Sequence, residues 1–202
     1  DAGNMVSLQF DKFNTTTLPN VSGQWVATFP AMAAGGPYQL TITQGSQKIV
    51  ISDILMGDVW LCSGQSNMEW DVSQSLNAKK EIETANNPFI RQIKISKEIN
   101  AVPQNDFGAG TWQVCDATTV GQFSGVAYFF AKKIYEELKI PIGLINASWG
   151  GTNIETWISR EAFENSEEFK EMIAGMPKIG LDSLLKQRIK LSEKYIKKKK
   201  KA

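Results

Sequence analysis

The sequence predicts an α/β domain built on a parallel sheet, with a small β-rich module ahead of it. Three observations carry that expectation. Gly57–Leu61, Ile90–Ile95 and Ile142–Ala147 each read as a strand, separated by helix-length segments. Between the second and third, Gly125 to Leu138 places Ala127, Phe130, Ala131, Ile134 and Leu138 at helical spacing, with Lys132, Lys133, Glu136 and Glu137 opposite. Ahead of Gly57 the pattern changes to short alternating segments.

In order along the chain, residues 1–53 form the β-rich module, a partial β-sandwich. Gln24–Phe29, Tyr38–Thr43 and Lys48–Ile51 alternate as half-buried strands do. Gln44-Gly45-Ser46 supplies a turn between the last two, and Ala34-Gly35-Gly36-Pro37 another before them. The module is read as a structural appendage. Residues 54–202 form the second domain. Its first strand is apolar at Val59, Trp60 and Leu61, as a buried strand of an α/β sheet is, and Trp60 is read as core. Strand, helix and strand in this spacing imply a sheet of the flavodoxin-like kind. Asn100–Gln122, with Pro103, Gly108, Gly110 and Trp112, reads as a long irregular loop at a substrate rim or on the surface. Pro141 closes the helix before the third strand.

Residues 160–202 read as helical, with Leu181, Leu184, Leu185, Ile189, Tyr195 and Ile196 on one apolar face, and Gly175, Pro177 and Gly180 interrupting. Three α/β strands are too few to cover such helices, since sheets usually have about five or six. The expectation is that the domain needs further polypeptide.

With 202 residues, 42% of them hydrophobic, the chain can bury a core. No apolar run approaches the roughly 18 residues that span a bilayer. Asp1-Ala2-Gly3-Asn4 is no secretion leader, so the chain is expected to start after a cleaved one or inside a longer protein. From Lys186 onward there are nine basic residues and one acid, leaving 13 basic against 20 acidic before it. The lysine run Lys197–Lys201 reads as a solvated helix end; no nucleic-acid or membrane partner is expected. Cys62 reads as a small buried hydrophobe, and a disulfide to Cys115 is left open. Without histidine, and with two distant cysteines, no zinc-type site can be built; no metal and no cofactor are expected.

Ser66 is the chemically informative residue. It follows the first strand in Asp58-Val59-Trp60-Leu61-Cys62-Ser63-Gly64-Gln65-Ser66-Asn67-Met68-Glu69. Gly64 allows a tight turn, so Ser66 falls where a strand gives way to a helix, at the carboxyl edge where α/β sheets bind ligands. On the residues alone this fits a nucleophile and a helix-capping serine equally. Met68 stands where a Gly-x-Ser-x-Gly elbow has its second glycine.

Gly64-Gln65-Ser66-Asn67-Met68, preceded by Gly57-Asp58-Val59-Trp60, resembles the first block of the sialate O-acetylesterase-like carbohydrate esterases of the SGNH hydrolase superfamily. Pro141-Ile142-Gly143-Leu144-Ile145-Asn146-Ala147-Ser148-Trp149-Gly150-Gly151-Thr152-Asn153-Ile154-Glu155-Thr156-Trp157 resembles the next block. The resemblance runs from about Gly35 to Ser159. It implies a three-layer SGNH sandwich, present here in part, and a serine carbohydrate esterase that removes O-acetyl groups from sialic acid or related glycans. It implies Ser66 as nucleophile, with oxyanion donors from Ser66 and the Gly150-Gly151 turn. Gln65, Asn67, Asn153, Glu155 and Trp157 would line the sugar pocket, and Trp157 would stack on a sugar face or serve as core. A secreted, periplasmic or lysosomal setting also follows from the resemblance.

The family continues with Gln-Gly-Glu-type and Asp-x-x-His-type segments, and neither occurs here. A serine hydroxyl needs an adjacent base. Lys79 and Lys80 lie in a polar stretch that offers no buried setting for a lysine base. The base is therefore expected from a C-terminal part or a second chain that supplies histidine, with this portion nearly inactive by itself. A non-catalytic carbohydrate-binding relative and an acetylxylan esterase are the alternatives.

Overall fold

A computed structural model of the protein describes residues 3–100, 104–108, 110–175 and 181–199. The chain forms two compact units, Asp1–Lys97 with Phe107–Gly151, and Glu98–Asp106 with Thr152–Ala202.

The first unit contains two four-stranded sheets. The first is wholly antiparallel, in the order β2-β1-β3-β4, with β1 at Val6–Phe10, β2 at Phe13–Thr17, β3 at Gly35–Gln44 and β4 at Gln47–Met56. Val6, Leu8 and Phe10 are buried while Ser7 and Gln9 are exposed, the alternation a one-sided sheet requires. The β1–β2 hairpin turns at Asp11, whose φ of 52° an aspartate tolerates better than most residues.

This corrects the reading of the module. Gln24–Phe29 forms no strand. The edge of β3 is occupied by β1, with Leu8 opposite Ile42, and Phe29 contributes only its ring, 5.5 Å from that of Phe10. Ala34–Pro37 is no separate turn either, because β3 begins at Gly35. The two adjacent glycines let the strand enter through register shifts between Gly35 and Leu40. The turn at Gln44-Gly45-Ser46 and a strand on either side of it stand, but Lys48–Ile51 is exposed throughout rather than half-buried.

The second sheet has the order β5-β8-β6-β7, from β5 (Asp58–Gly64), β6 (Asn86–Lys94), β7 (Gln113–Asp116) and β8 (Ile142–Ser148). β5 and β6 both run parallel to β8, with Asp58 and Ile90 each opposite Ile142. The Asn100–Gln122 stretch is thus not wholly irregular. Its second half holds β7, which pairs antiparallel on β6 and buries Cys115. Pro103 lies outside the described residues.

Three helices belong to this sheet: α1 (Ser66–Glu69), α2 (Ala78–Thr84) and α3 (Gly125–Leu138). Ser124 starts α3 by accepting the Ala127 N–H on its hydroxyl at 3.3 Å. Lys139, at φ 56°, ends it. The helix lays Ala127, Tyr128 and Ala131 on a core of Ile90, Ile142, Leu144, Val72, Val120 and Phe123. The Tyr128 hydroxyl donates to Glu81 at 2.6 Å and so ties α3 to α2.

One expectation about β5 is overturned. Val59 and Leu61 are 62% and 69% exposed and Trp60 is 42% exposed, so the strand is not buried and Trp60 is not core. β5 is the sheet edge, with β8 as its one neighbour, and the Trp60 indole rests edge-on against Phe130 at 5.0 Å. Cys62, pointing inward from the same strand, is buried as expected.

The second unit holds α4 (Arg160–Glu164), α5 (Lys170–Gly175) and α6 (Leu181–Lys199). Phe163 is buried and stacks at a tilt on Phe169 at 4.6 Å. On α6, Leu185 and Ile189 are exposed. The side chains of Leu181, Leu184, Tyr195 and Ile196 lie outside the described residues, as do Pro177, Gly180, Lys200 and Lys201.

The two sheets join at Gly57. The Asp58 N–H donates to the Pro141 carbonyl at 3.0 Å, and a β-carbon on Gly57 would stand 2.0 Å from that oxygen. Both partners are backbone and cannot swing away. Gly57→Ala is therefore expected to destabilise the protein by about 1–3 kcal/mol, the usual cost of overpacking, as read from urea unfolding. A variant as stable as the parent would show that this crossing does not constrain the fold.

Candidate active site

The parallel register places Gly64 at the end of β5 level with Ser148 at the end of β8. Both chains then leave the sheet on the same side. The Trp149 N–H crosses from the β8 exit to the Gly64 carbonyl at 2.9 Å. Gly64 has φ 142°, which a residue with a side chain rarely adopts, and its turn leads through Gln65 into α1. Ser66 is the first residue of α1 and is exposed at the carboxyl edge of the sheet.

Gly150 lies against it. A β-carbon built on Gly150 would stand 3.5 Å from Ser66 Cα and 3.6 Å from Ser66 Cβ. Gly151 follows at φ 78°, with open space where a side chain would be. The structure thus brings together Ser66, Gly150 and Gly151, three of the residues singled out from the sequence. Gln65 and Asn67 flank Ser66 and are exposed. Asn153, Glu155 and Trp157 belong to a turn of the second unit. There the Asn153 carbonyl accepts the Thr156 N–H and hydroxyl, and the Trp157 indole N–H donates to the Thr152 hydroxyl at 2.8 Å.

Buried polar contacts hold the Ser66 turn from below. The Ser124 hydroxyl donates to the Met68 thioether at 3.4 Å, and the Ser124 N–H donates to Gln92 Oε1 at 3.0 Å. The Gly125 N–H reaches the Trp70 carbonyl at 2.7 Å, and the Val72 N–H reaches the Phe123 carbonyl. On the neighbouring strand, Ser148 donates to Asn146 at 2.6 Å, both buried. Met68, at the position where an elbow would have a second glycine, therefore serves as an anchor under the turn.

Two residues that the sequence reading passed over join this group. The Glu69 carboxylate accepts the Gly150 N–H at 2.5 Å and forms an ion pair with Lys97. The Lys97 ammonium also lies over the Trp149 ring, 5.6 Å from its centroid. A signal for Glu69 existed, since a residue three positions beyond Ser66 on a helix shares its face. Nothing local marked Lys97. The hydrogen bond from Lys97, then that from the Gly150 N–H, hold the Glu69 carboxyl below its ordinary range.

Lys79 sits exposed on α2 beside Glu83, and Lys80 is exposed as well. Cys62 and Cys115 are free, buried thiols; burial pushes both up in pKa, Cys115 to about 11. Among the described residues no three His, Cys, Asp or Glu side chains cluster as a metal site would need.

A family model for carbohydrate esterases, sialic acid-specific acetylesterases, matches residues 56–186. The chain is similar to mouse sialate O-acetylesterase, 35% identical over 164 residues, and to the human protein, 33% identical over 180. These matches take in 74% and 82% of this chain but 30% and 32% of the relatives, so it spans about a third of their length. It is also similar to a solved carbohydrate acetylesterase from Xanthomonas citri, with a TM-score of 0.78 and 34% identity over 84% of this chain and 39% of that one.

The Glu69 contacts carry a pH signature. Its folded pKa lies below the ordinary 4.5, so the ionised carboxylate is favoured in the folded state. That contribution is present above the ordinary value and is lost as pH falls through the folded one. Glu69→Gln is expected to be less stable than the parent at pH 7, with the gap closing as pH falls below about 4.5. Urea unfolding of both proteins at pH 7 and pH 3 checks this, and a gap independent of pH would refute it.

Proposed function

This chain belongs to the carbohydrate esterase family of sialic acid-specific acetylesterases, and on that premise we propose that it carries the nucleophile half of a serine O-acetylesterase. The substrate is an O-acetyl group on sialic acid or a related glycan. The observation that carries the reading is the apposition of an exposed serine at the end of one parallel strand to the tandem glycines at the end of the next.

In this mechanism the Ser66 oxygen attacks the acetyl carbonyl carbon while a base takes its proton. The carbonyl oxygen becomes an oxyanion, held by the Ser66 N–H and one N–H from the Gly150-Gly151 turn. Collapse expels the sugar oxygen, which takes the proton from the base. Water then attacks the acetyl-serine by the same route and releases acetate. One oxyanion donor typically supplies about 3–4 kcal/mol of barrier lowering. Gln65 and Asn67 are assigned to substrate binding, and so, on the family resemblance, are Asn153, Glu155 and Trp157 of the second unit.

The base comes from polypeptide beyond these residues or from a second chain, because this one contains no histidine. The exposed edge of β5 supports that reading. A strand of a parallel sheet is normally covered on both faces, and Val59 and Leu61 are open to solvent. The proposed division of labour sets the module of residues 1–53 apart from the esterase portion at 54–202.

The test is hydrolysis of 4-nitrophenyl acetate and of O-acetylated sialic acid by the full-length protein, by its Ser66→Ala variant and by these 202 residues alone. The full-length protein is expected to release acetate from both. Ser66→Ala is expected to lose at least about a thousandfold in kcat, and the 202 residues to be nearly inactive. Turnover surviving Ser66→Ala, or a burst of product from the 202 residues alone, would overturn the reading. Release from acetylxylan but not from sialic acid would move the substrate class. Sugar binding without acetate release would make the protein a lectin-like relative.

A further inference from the structure

Glu69 stands on the single turn of α1 that begins with Ser66, and both of its oxygens are engaged. Oε2 accepts the Gly150 N–H, and Oε1 meets the Lys97 ammonium. A β-carbon on Gly150 would come within 2.7 Å of Oε2, so the fit needs glycine there. The turn after β8 is consequently gripped at two successive amides. Trp149 donates to the Gly64 carbonyl and Gly150 to Glu69. Both acceptors lie on the segment that carries Ser66.

We propose that Glu69 is a positioning residue for the esterase reaction, fixing the tandem-glycine turn against Ser66 and leaving the Gly151 N–H as the donor this turn offers to the oxyanion. The proposal rests on the esterase reading and deepens it. An N–H that already donates to a carboxylate cannot also stabilise a developing oxyanion. The engagement of Gly150 therefore passes the role to the next amide. That amide belongs to Gly151, whose positive φ and open surroundings leave room for a substrate carbonyl to approach. A bare carboxylate beside the reacting centre would oppose the negative charge that forms there. The charged groups facing Glu69 are Lys97, which pairs with it, and Lys94, which also pairs with Asp71 at 3.5 Å. Glu69 can thus hold the turn at little electrostatic cost to the transition state.

Reach and charge can be separated by substitution in the full-length protein. Glu69→Gln keeps the length of the side chain and an oxygen for the Gly150 N–H, and removes the charge. Glu69→Asp keeps the charge and draws the carboxylate back by one methylene. If the grip on Gly150 is what matters, Glu69→Asp is expected to lose about a hundredfold in kcat on 4-nitrophenyl acetate, the scale of one oxyanion donor. Glu69→Gln is expected to stay within about tenfold of the parent. KM should change by less than about threefold in both, because the donor acts on the transition state. The Gly150 amide proton resonance should keep its position in Glu69→Gln and move upfield in Glu69→Asp. The reverse ranking, equal losses in the two variants, or parental kcat in Glu69→Asp would each overturn the proposal. Ser66→Ala run alongside separates the two ideas. If it retains turnover, the esterase reading falls; if it is dead while Glu69→Asp is unimpaired, the positioning role falls alone.

Discussion

The pairing of β5 with β8 is the constraint on which the rest of the site depends. Ile142, Leu144, Asn146 and Ser148 are buried and alternate with half-buried neighbours along β8. A slip of one residue would turn that whole set to the other face. It would also carry Gly150 about 3.3 Å along the strand, out of contact with Ser66. The core below β8 therefore determines where the reacting groups meet, although none of those groups is itself in the core. Catalytic geometry of this kind derives from packing at Ile142 and Leu144 as much as from the loops.

Features written in local pattern were legible. The α3 helix runs over the residues its apolar spacing marked, and β8 ends one residue beyond the apolar run that announced it. The Ser66 turn could be read because Gly64 ends a strand and Asn67-Met68-Glu69 can continue a helix. Features that depend on distant pairing were not. Gln24–Phe29 alternates as well as any strand in the chain, yet the neighbouring edge is taken by Val6–Phe10, which alternates equally well. β7 is four residues of mixed character, and only its partner β6 makes it a strand. The contact between Glu69 and Lys97 spans separate elements, so the face of α1 could suggest the acid but not its cation.

The sequence of β5 and its surroundings disagree, and the disagreement is informative. Val-Trp-Leu is the composition of a strand enclosed by helices and neighbours, but this strand has one neighbour; Trp60, on the same face as buried Cys62, rests on Phe130, while Val59 and Leu61 face the other way and are exposed. Solvent exposure of Val59 and Leu61 side by side is also a liability, because an uncovered apolar edge invites pairing with another chain.

On the proposed mechanism, the geometric deficit and the chemical one coincide. Ser66 is carried by the edge strand, on the open side of the sheet, with β8 and the tandem glycines on its other side. The open edge of β5 is one direction from which the proton acceptor of that mechanism can arrive. A parallel strand laid along β5 would pair its open backbone edge, and a loop at the carboxyl end of that strand would emerge level with Ser66, because parallel strands deliver their exits to the same edge. One element could in this way complete the sheet and present the histidine. The backbone ladder formed at that edge would then hold the base in register with the nucleophile.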